Sequence, residues 1–157
     1  MKKVHEHYIS EAIEIAQNNQ EKGGGPFGAI IVKNGEIIAT SGNSVTIDND
    51  PTAHAEINVI RKACKVLNNF ELKHCVLYSS CEPCPMCLGA IYWARLGAVY
   101  FAASQEDAED AGFDDSFIYK ELNAPLENRS IPTQQLLREN AQVPFEEWKA
   151  KEDKIKY

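Results

Sequence analysis

Thirty residues separate two short clusters of side chains able to bind a metal, and a fold that uses both must bring them together. In PTAHAEINVI, residues 51–60, one alanine stands between His54 and Glu56. In SSCEPCPMC, residues 79–87, two residues stand between Cys84 and Cys87. Cysteines at i and i+3 share one face of a helix. In a first helical turn they meet outward-pointing N–H groups and the positive end of the helix dipole, which favours thiolates. Two thiolates in one turn repel unless a cation joins them, and zinc is the usual cation at this spacing. Two core cysteines are the plainer alternative. His54 and Glu56 lie roughly 200° apart around a helix. They can serve one site only at a helix tip, where side chains reach past the end. Asp50-Pro51-Thr52 supplies a capping residue and a proline just upstream of such a tip.

His54, Cys84 and Cys87 are three ligands, one fewer than a closed structural zinc site holds. An open fourth position admits a water whose pKa falls toward ~7. Glu56, beside a ligand but not itself one, can take that water's proton and pass it on. Cys81 is the competing fourth ligand, and binding through it would make the site closed and structural. It precedes the expected helix start, whereas Cys84 and Cys87 share the turn.

The chain has 157 residues, the usual size of one domain, and we expect a single domain over 1–157. Hydrophobic residues make up 44% and charged residues 25%, a globular balance that excludes a disordered chain. No run of eighteen apolar residues exists, so no membrane span is expected. The opening MKKVHEHYISEAIEIA is broken by acids and lacks the apolar segment of a secretory signal. Net charge is −7, which repels phosphate backbones; a small neutral substrate fits better than a nucleic acid. Five cysteines, an odd number, suggest reduced thiols in a cytoplasmic protein.

Apolar residues at helical spacing predict a helix over 4–20, ended by KGGGPFG at 22–28. GAIIVKNGEIIAT holds two β-branched runs around Asn34-Gly35, a hairpin signal. A second helix through Ile57, Ile60, Cys64 and Leu67 follows, then a strand from Cys75 and a helix opened by Pro83 or Pro85. A strand over 99–102 and helices over 107–112, 114–122 and 145–154 complete the pattern. Residues 131–137 read equally as strand or helix. Strands alternating with helices indicate an α/β sandwich with a mixed sheet, antiparallel in its opening pair and parallel later.

The spacing H-x-E followed by P-C-x-x-C, here His54-Ala55-Glu56 and Pro83-Cys84-Pro85-Met86-Cys87, resembles the signature of the cytidine and deoxycytidylate deaminase superfamily. The resemblance implies a three-layer α/β/α sandwich around a mixed five-stranded sheet. It also implies one zinc ion per chain on His54, Cys84 and Cys87, with Glu56 as proton shuttle. GGPFGAIIVKNG, NDPTAHAE, IRKACKVL, SCEPCPMCLGAIYWAR and AGFDDSFIYKE are similar to the bacterial guanine deaminase branch, as are the chain's length and its terminal tyrosine. That branch implies hydrolysis of guanine to xanthine and ammonia, with a zinc-activated water attacking C2.

The same resemblance implies that Phe27 packs on the purine, Asn43 bonds the base edge, Ala55 and Trp93 line the pocket, and Asp115 accepts from guanine N–H groups and assists proton transfer. Tyr157 would end a segment, about 140–157, exchanged with a partner in a homodimer and closing its pocket to all but free bases. On sequence alone, Phe27 and Trp93 also read as core aromatics, Asn43 as a loop residue, Asp115 as a helix cap and Tyr157 as a frayed terminus. The tRNA adenosine deaminases and cytosine deaminases carry the same metal motif. A non-catalytic zinc-folded protein is a further reading, one with no use for Glu56.

Overall fold

Asn34 and Gly35 both take left-handed backbone angles, with φ of 53° and 85°. This two-residue turn matches the twist of the strands it joins. It closes a hairpin of β1 (Gly28–Lys33) and β2 (Glu36–Gly42), with Lys33 opposite Glu36. A register shift between Ile31 and Val32 lets β2 carry one extra residue there. The computed structural model describes residues 2–157.

Before the hairpin runs α1 (Lys2–Glu21), whose buried Tyr8, Ala12, Ala16 and Asn19 form one stripe at helical spacing. After it come a short helix α2 (Val45–Asp48), absent from the sequence expectation, and α3 (Ala55–Leu67). Next follow β3 (Cys75–Cys81), α4 (Pro85–Trp93), β4 (Ala98–Ala103) and α5 (Gln105–Asp110). The sheet order is β2-β1-β3-β4, with β1 antiparallel to both neighbours and β3 parallel to β4.

Side chains alternate across β1, and the chain covers both of its faces. Ala29 and Ile31 join Leu77, Val59, Ala63 and Ile91 in a core beneath α3 and α4. Ile30 and Val32 join Tyr8 and Tyr78 beneath α1. Five consecutive buried residues in β1 are the mark of a strand with two packed faces. The layers are therefore helix, mixed sheet, helix.

The expected fifth strand is not found: among the described residues the sheet has four strands. Residues 131–136 form no regular element. Pro132 offers no N–H to a ladder, and polar Thr133, Gln134 and Gln135 supply no apolar alternation to bury. The expected last helix is α7 (Val143–Ala150), ending four residues early; α6 (Ser116–Asn123) precedes it.

Internal contacts divide the chain into two units, Met1–Ser116 and Phe117–Tyr157. The second unit has no fully buried residue in α6 or α7, and Leu136, Leu137, Phe145 and Trp148 are exposed. No described helix is long and apolar enough to cross a membrane.

Ile31 is fully enclosed. Ile31→Ala should lower unfolding free energy by about 2–5 kcal/mol, through lost transfer energy and the cavity left behind. Ile37, 42% exposed on β2, serves as the control. Its alanine variant should fall within about 1 kcal/mol of wild type in urea denaturation with an unchanged m-value.

Candidate active site

Two helices start at one place. His54 is the N-cap of α3, with extended backbone angles of −67° and 156°. Cys84 is the N-cap of α4, at −62° and 168°, and Pro85 fills the first helical position. The two side chains turn toward each other. His54 Nδ1 lies 3.5 Å from Cys84 Sγ and 3.5 Å from Cys87 Sγ. The three ligand atoms lie within 4.8 Å of one another. The expected cap, Asp50, is used differently: its Oδ1 accepts from the Thr52 backbone N–H at 2.8 Å and hydroxyl at 2.7 Å. It fixes the turn that leads into His54.

Glu56, in the first turn of α3, is buried at 6% exposure. Its Oε1 accepts from the Ser79 hydroxyl at 3.1 Å, and its Oε2 lies 3.5 Å from Cys87 Sγ. Burial is the main reason that its proton affinity rises above the ordinary glutamate level. Cys84 is pulled down to about 4, first by the hydrogen bond that Cys87 donates and then by His54. The Cys84 thiolate and burial push Cys87 up. His54 is raised chiefly by its bond to Cys84. One imidazole nitrogen and two sulfurs, close together and partly buried, are a donor set that fits zinc.

Cys81, the last residue of β3, is not brought into this group. Its thiol contacts the Ser104 carbonyl at 3.6 Å, and burial pushes it up to about 11, so it stays protonated at neutral pH.

Beside the three ligand atoms lies a cavity of about 260 Å³. Phe27, Asn43, Ala55 and Asp115 line it together with Glu56. The Phe27 ring meets Phe113 edge-on, with centroids 4.9 Å apart. Asn43 is buried, and its Oδ1 accepts from Val45 N–H at 3.2 Å. Asp115 Oδ1 is shut away from solvent with no hydrogen-bond partner. Burial, then the charge on Cys84, raises this carboxyl.

Trp93 does not line this cavity; it is 64% exposed and carries Arg95 over its ring at 5.8 Å. Six residues beyond Cys87, it sits about 9 Å further along the helix axis and some 240° around it. The in-face position there belongs to Ile91, which is buried. Tyr157 belongs to the second unit and is 73% exposed.

Glu82, Gln105 and Phe113 are among the lining residues that went unread in the sequence. Gln105 N–H donates to Glu82 Oε2 at 3.2 Å, and its side chain bonds Asp115. A capping box holds Gln105 in place: Asp107 N–H donates to Ser104 Oγ, and Ser104 N–H to Asp107 Oδ2 at 2.7 Å. Ser104-x-x-Asp107 is a readable helix start, and it was the available signal.

Residues 2–103 match the family model described as the cytidine and deoxycytidylate deaminase zinc-binding region. The guanine deaminase of Bacillus subtilis (strain 168) is 55% identical over 154 residues, spanning 98% of this chain and 99% of that one. A crystal structure of guanine deaminase from Bacillus subtilis superposes with a TM-score of 0.95, at 55% identity and 98% coverage of both chains. A further crystal structure, of a protein in complex with 2,6-diaminopurine, has a TM-score of 0.69 at 33% identity, covering 71% of this chain and 62% of that one. Matched over most of its length by the family model and over nearly all of it by a relative, this chain belongs to the cytidine and deoxycytidylate deaminase family.

Proposed function

We propose that the chain hydrolyses guanine to xanthine and ammonia, with one zinc ion held by His54, Cys84 and Cys87. One observation carries the reading. A buried carboxylate, Glu56, sits against a histidine–dithiol cluster, and a second carboxylate, Asp115, lines the same cavity. The near-full-length relative supplies the choice of base.

Zinc in that cluster supplies a Lewis acid that lowers the pKa of a water. Glu56 takes the water's proton on its carboxylate and passes it to the ring nitrogen beside C2. The water oxygen bonds to C2, its remaining proton passes to the amino group, and the C2–amino bond breaks to release ammonia and leave the C2 carbonyl of xanthine. Its raised proton affinity suits Glu56 to both halves of this transfer. The Ser79 hydroxyl occupies Oε1 and leaves Oε2 to face the cluster. Asp115 accepts from the amino or ring N–H groups of guanine. A base with acceptors at those positions would leave Asp115 unpaired, at a cost of about 2–5 kcal/mol. Phe27 packs on the purine face, and Asn43 bonds its edge. A cavity of about 260 Å³ suits a free base rather than a nucleoside.

We place the active form as a cytoplasmic homodimer in which the C-terminal segment packs on its partner. The exposed apolar side chains of Phe117–Tyr157 support this reading, and the unit boundary suggests an arm that begins nearer 117 than 140. Tyr157 then closes the partner's cavity.

Metal analysis of the purified protein should give one zinc per chain, falling to near zero in Cys87→Ala. Glu56→Gln should keep its zinc yet lose guanine turnover about 100-fold or more. Ammonia release from adenine, cytosine and guanosine should stay at background. Equal turnover of guanosine overturns the free-base assignment, and zinc without any turnover points to a structural metal.

Arm exchange has its own test. Chains lacking Tyr157 and chains with Glu56→Gln, each inactive alone, should recover roughly a quarter of wild-type turnover after co-refolding. Only an exchanged arm brings an intact Glu56 and an intact Tyr157 to one pocket, so mixtures that remain inactive exclude exchange.

A further inference from the structure

Asn19 lies near the end of α1, outside every motif and outside the cavity lining. It is a buried polar residue, 9% exposed. Its Nδ2 donates both hydrogens, one to the Gly25 carbonyl at 2.7 Å and one to the Asn43 carbonyl at 2.7 Å. Both acceptors belong to cavity-lining residues, and they come from different segments. Gly25 leads into Phe27 before β1, whereas Asn43 follows β2.

Two direct bonds join these segments as well. Asn43 N–H donates to the Phe27 carbonyl at 3.1 Å, and the Thr46 hydroxyl donates to the Gly23 carbonyl at 2.8 Å. The backbone leaves the Asn19 amide just enough room. A Cβ on Gly24 would lie 2.3 Å from Asn19 Nδ2, and one on Gly42 would lie 2.1 Å from Asn19 Oδ1. At both positions any larger residue would drive the amide out of place.

We infer that Asn19 is a positioning residue for base recognition: its amide fixes the two segments that present Phe27 and Asn43 to the cavity. The inference rests on the reading of that cavity as a purine pocket. Asn19 makes no contact with the histidine–cysteine cluster, so its effect falls on binding of the base rather than on proton transfer.

Asn19→Asp has the same shape, lacks both donors and sets a carboxylate against two carbonyl oxygens. The KM for guanine should rise about tenfold or more, with kcat within about threefold of wild type and zinc still at one per chain. Hydrogen exchange should quicken together in residues 23–27 and 43–46 and stay unchanged in 55–63. A KM within about twofold of wild type, or a loss confined to kcat, overturns the assignment. If Asn19→Asp does not fold, Gly42→Ala gives the same reading, because its Cβ displaces the amide. Failure of both to fold also overturns it, since the amide would then serve stability alone. Should the wild-type protein not turn over guanine, the functional proposal fails separately, and exchange decides the rest: independent rates in the two segments overturn the coupling.

Discussion

The arrangement depends on two helix starts held against each other. His54 and Cys84 occupy N-cap positions, where a side chain ordinarily folds back onto its own helix. Here both side chains point into the gap between α3 and α4. The first-turn N–H groups of both helices then face a point where negative charge collects, which lowers the cost of a thiolate there. The sheet makes this possible: β1 and β3 pack beneath α3 and α4 through a continuous apolar layer, and β3 runs directly into the Glu82–Cys84 segment. Ser79, also on β3, reaches from that sheet to hold Glu56.

The two halves of the histidine–cysteine cluster were legible because each has a local geometry. His54 and Glu56, two residues apart, can serve one site only at a helix tip, and Cys84 and Cys87, three apart, have the spacing of a shared face. The hairpin was legible for the same reason, since Asn34-Gly35 encodes its own backbone angles. Trp93 illustrates the limit. A resemblance placed it in the pocket, but the rotation and rise of α4 carry it away within this chain. Phe113 gave no warning, and the capping box marked only a helix start at Gln105, because their proximity to Phe27 and Asp115 comes from the path of the chain after β4. Asn19 is harder still. Its partners are backbone carbonyls, which any residue carries, and its only trace in the sequence is glycine at 24 and 42. The fifth strand failed because a short run with a proline has no ladder of its own to offer.

The two carboxylates share one cavity under different constraints. Glu56 is fully enclosed, tied to Ser79 and raised mainly by burial. Asp115 is bonded by the Gln105 side chain and raised first by burial. The two carboxylates thus face the cavity under different restraints, one tied to Ser79 and the other to Gln105.

The strand order has a consequence for how the chain is made. α1, β1 and β2 are neighbours in the first 42 residues, and the Tyr8 hydroxyl bonds the Gly35 carbonyl across the hairpin turn. This piece can assemble as soon as it leaves the ribosome. Yet β1 takes β3, not a near neighbour, on its second edge, and β3 begins only at Cys75. At roughly 5–20 residues per second, this strand, buried on both faces in the finished sheet, waits a few seconds with one row of backbone groups unpaired. An open edge of that kind is a template for joining other chains. The order of strands thus opens a stage during synthesis, between the hairpin and β3, at which the nascent chain is exposed to aggregation.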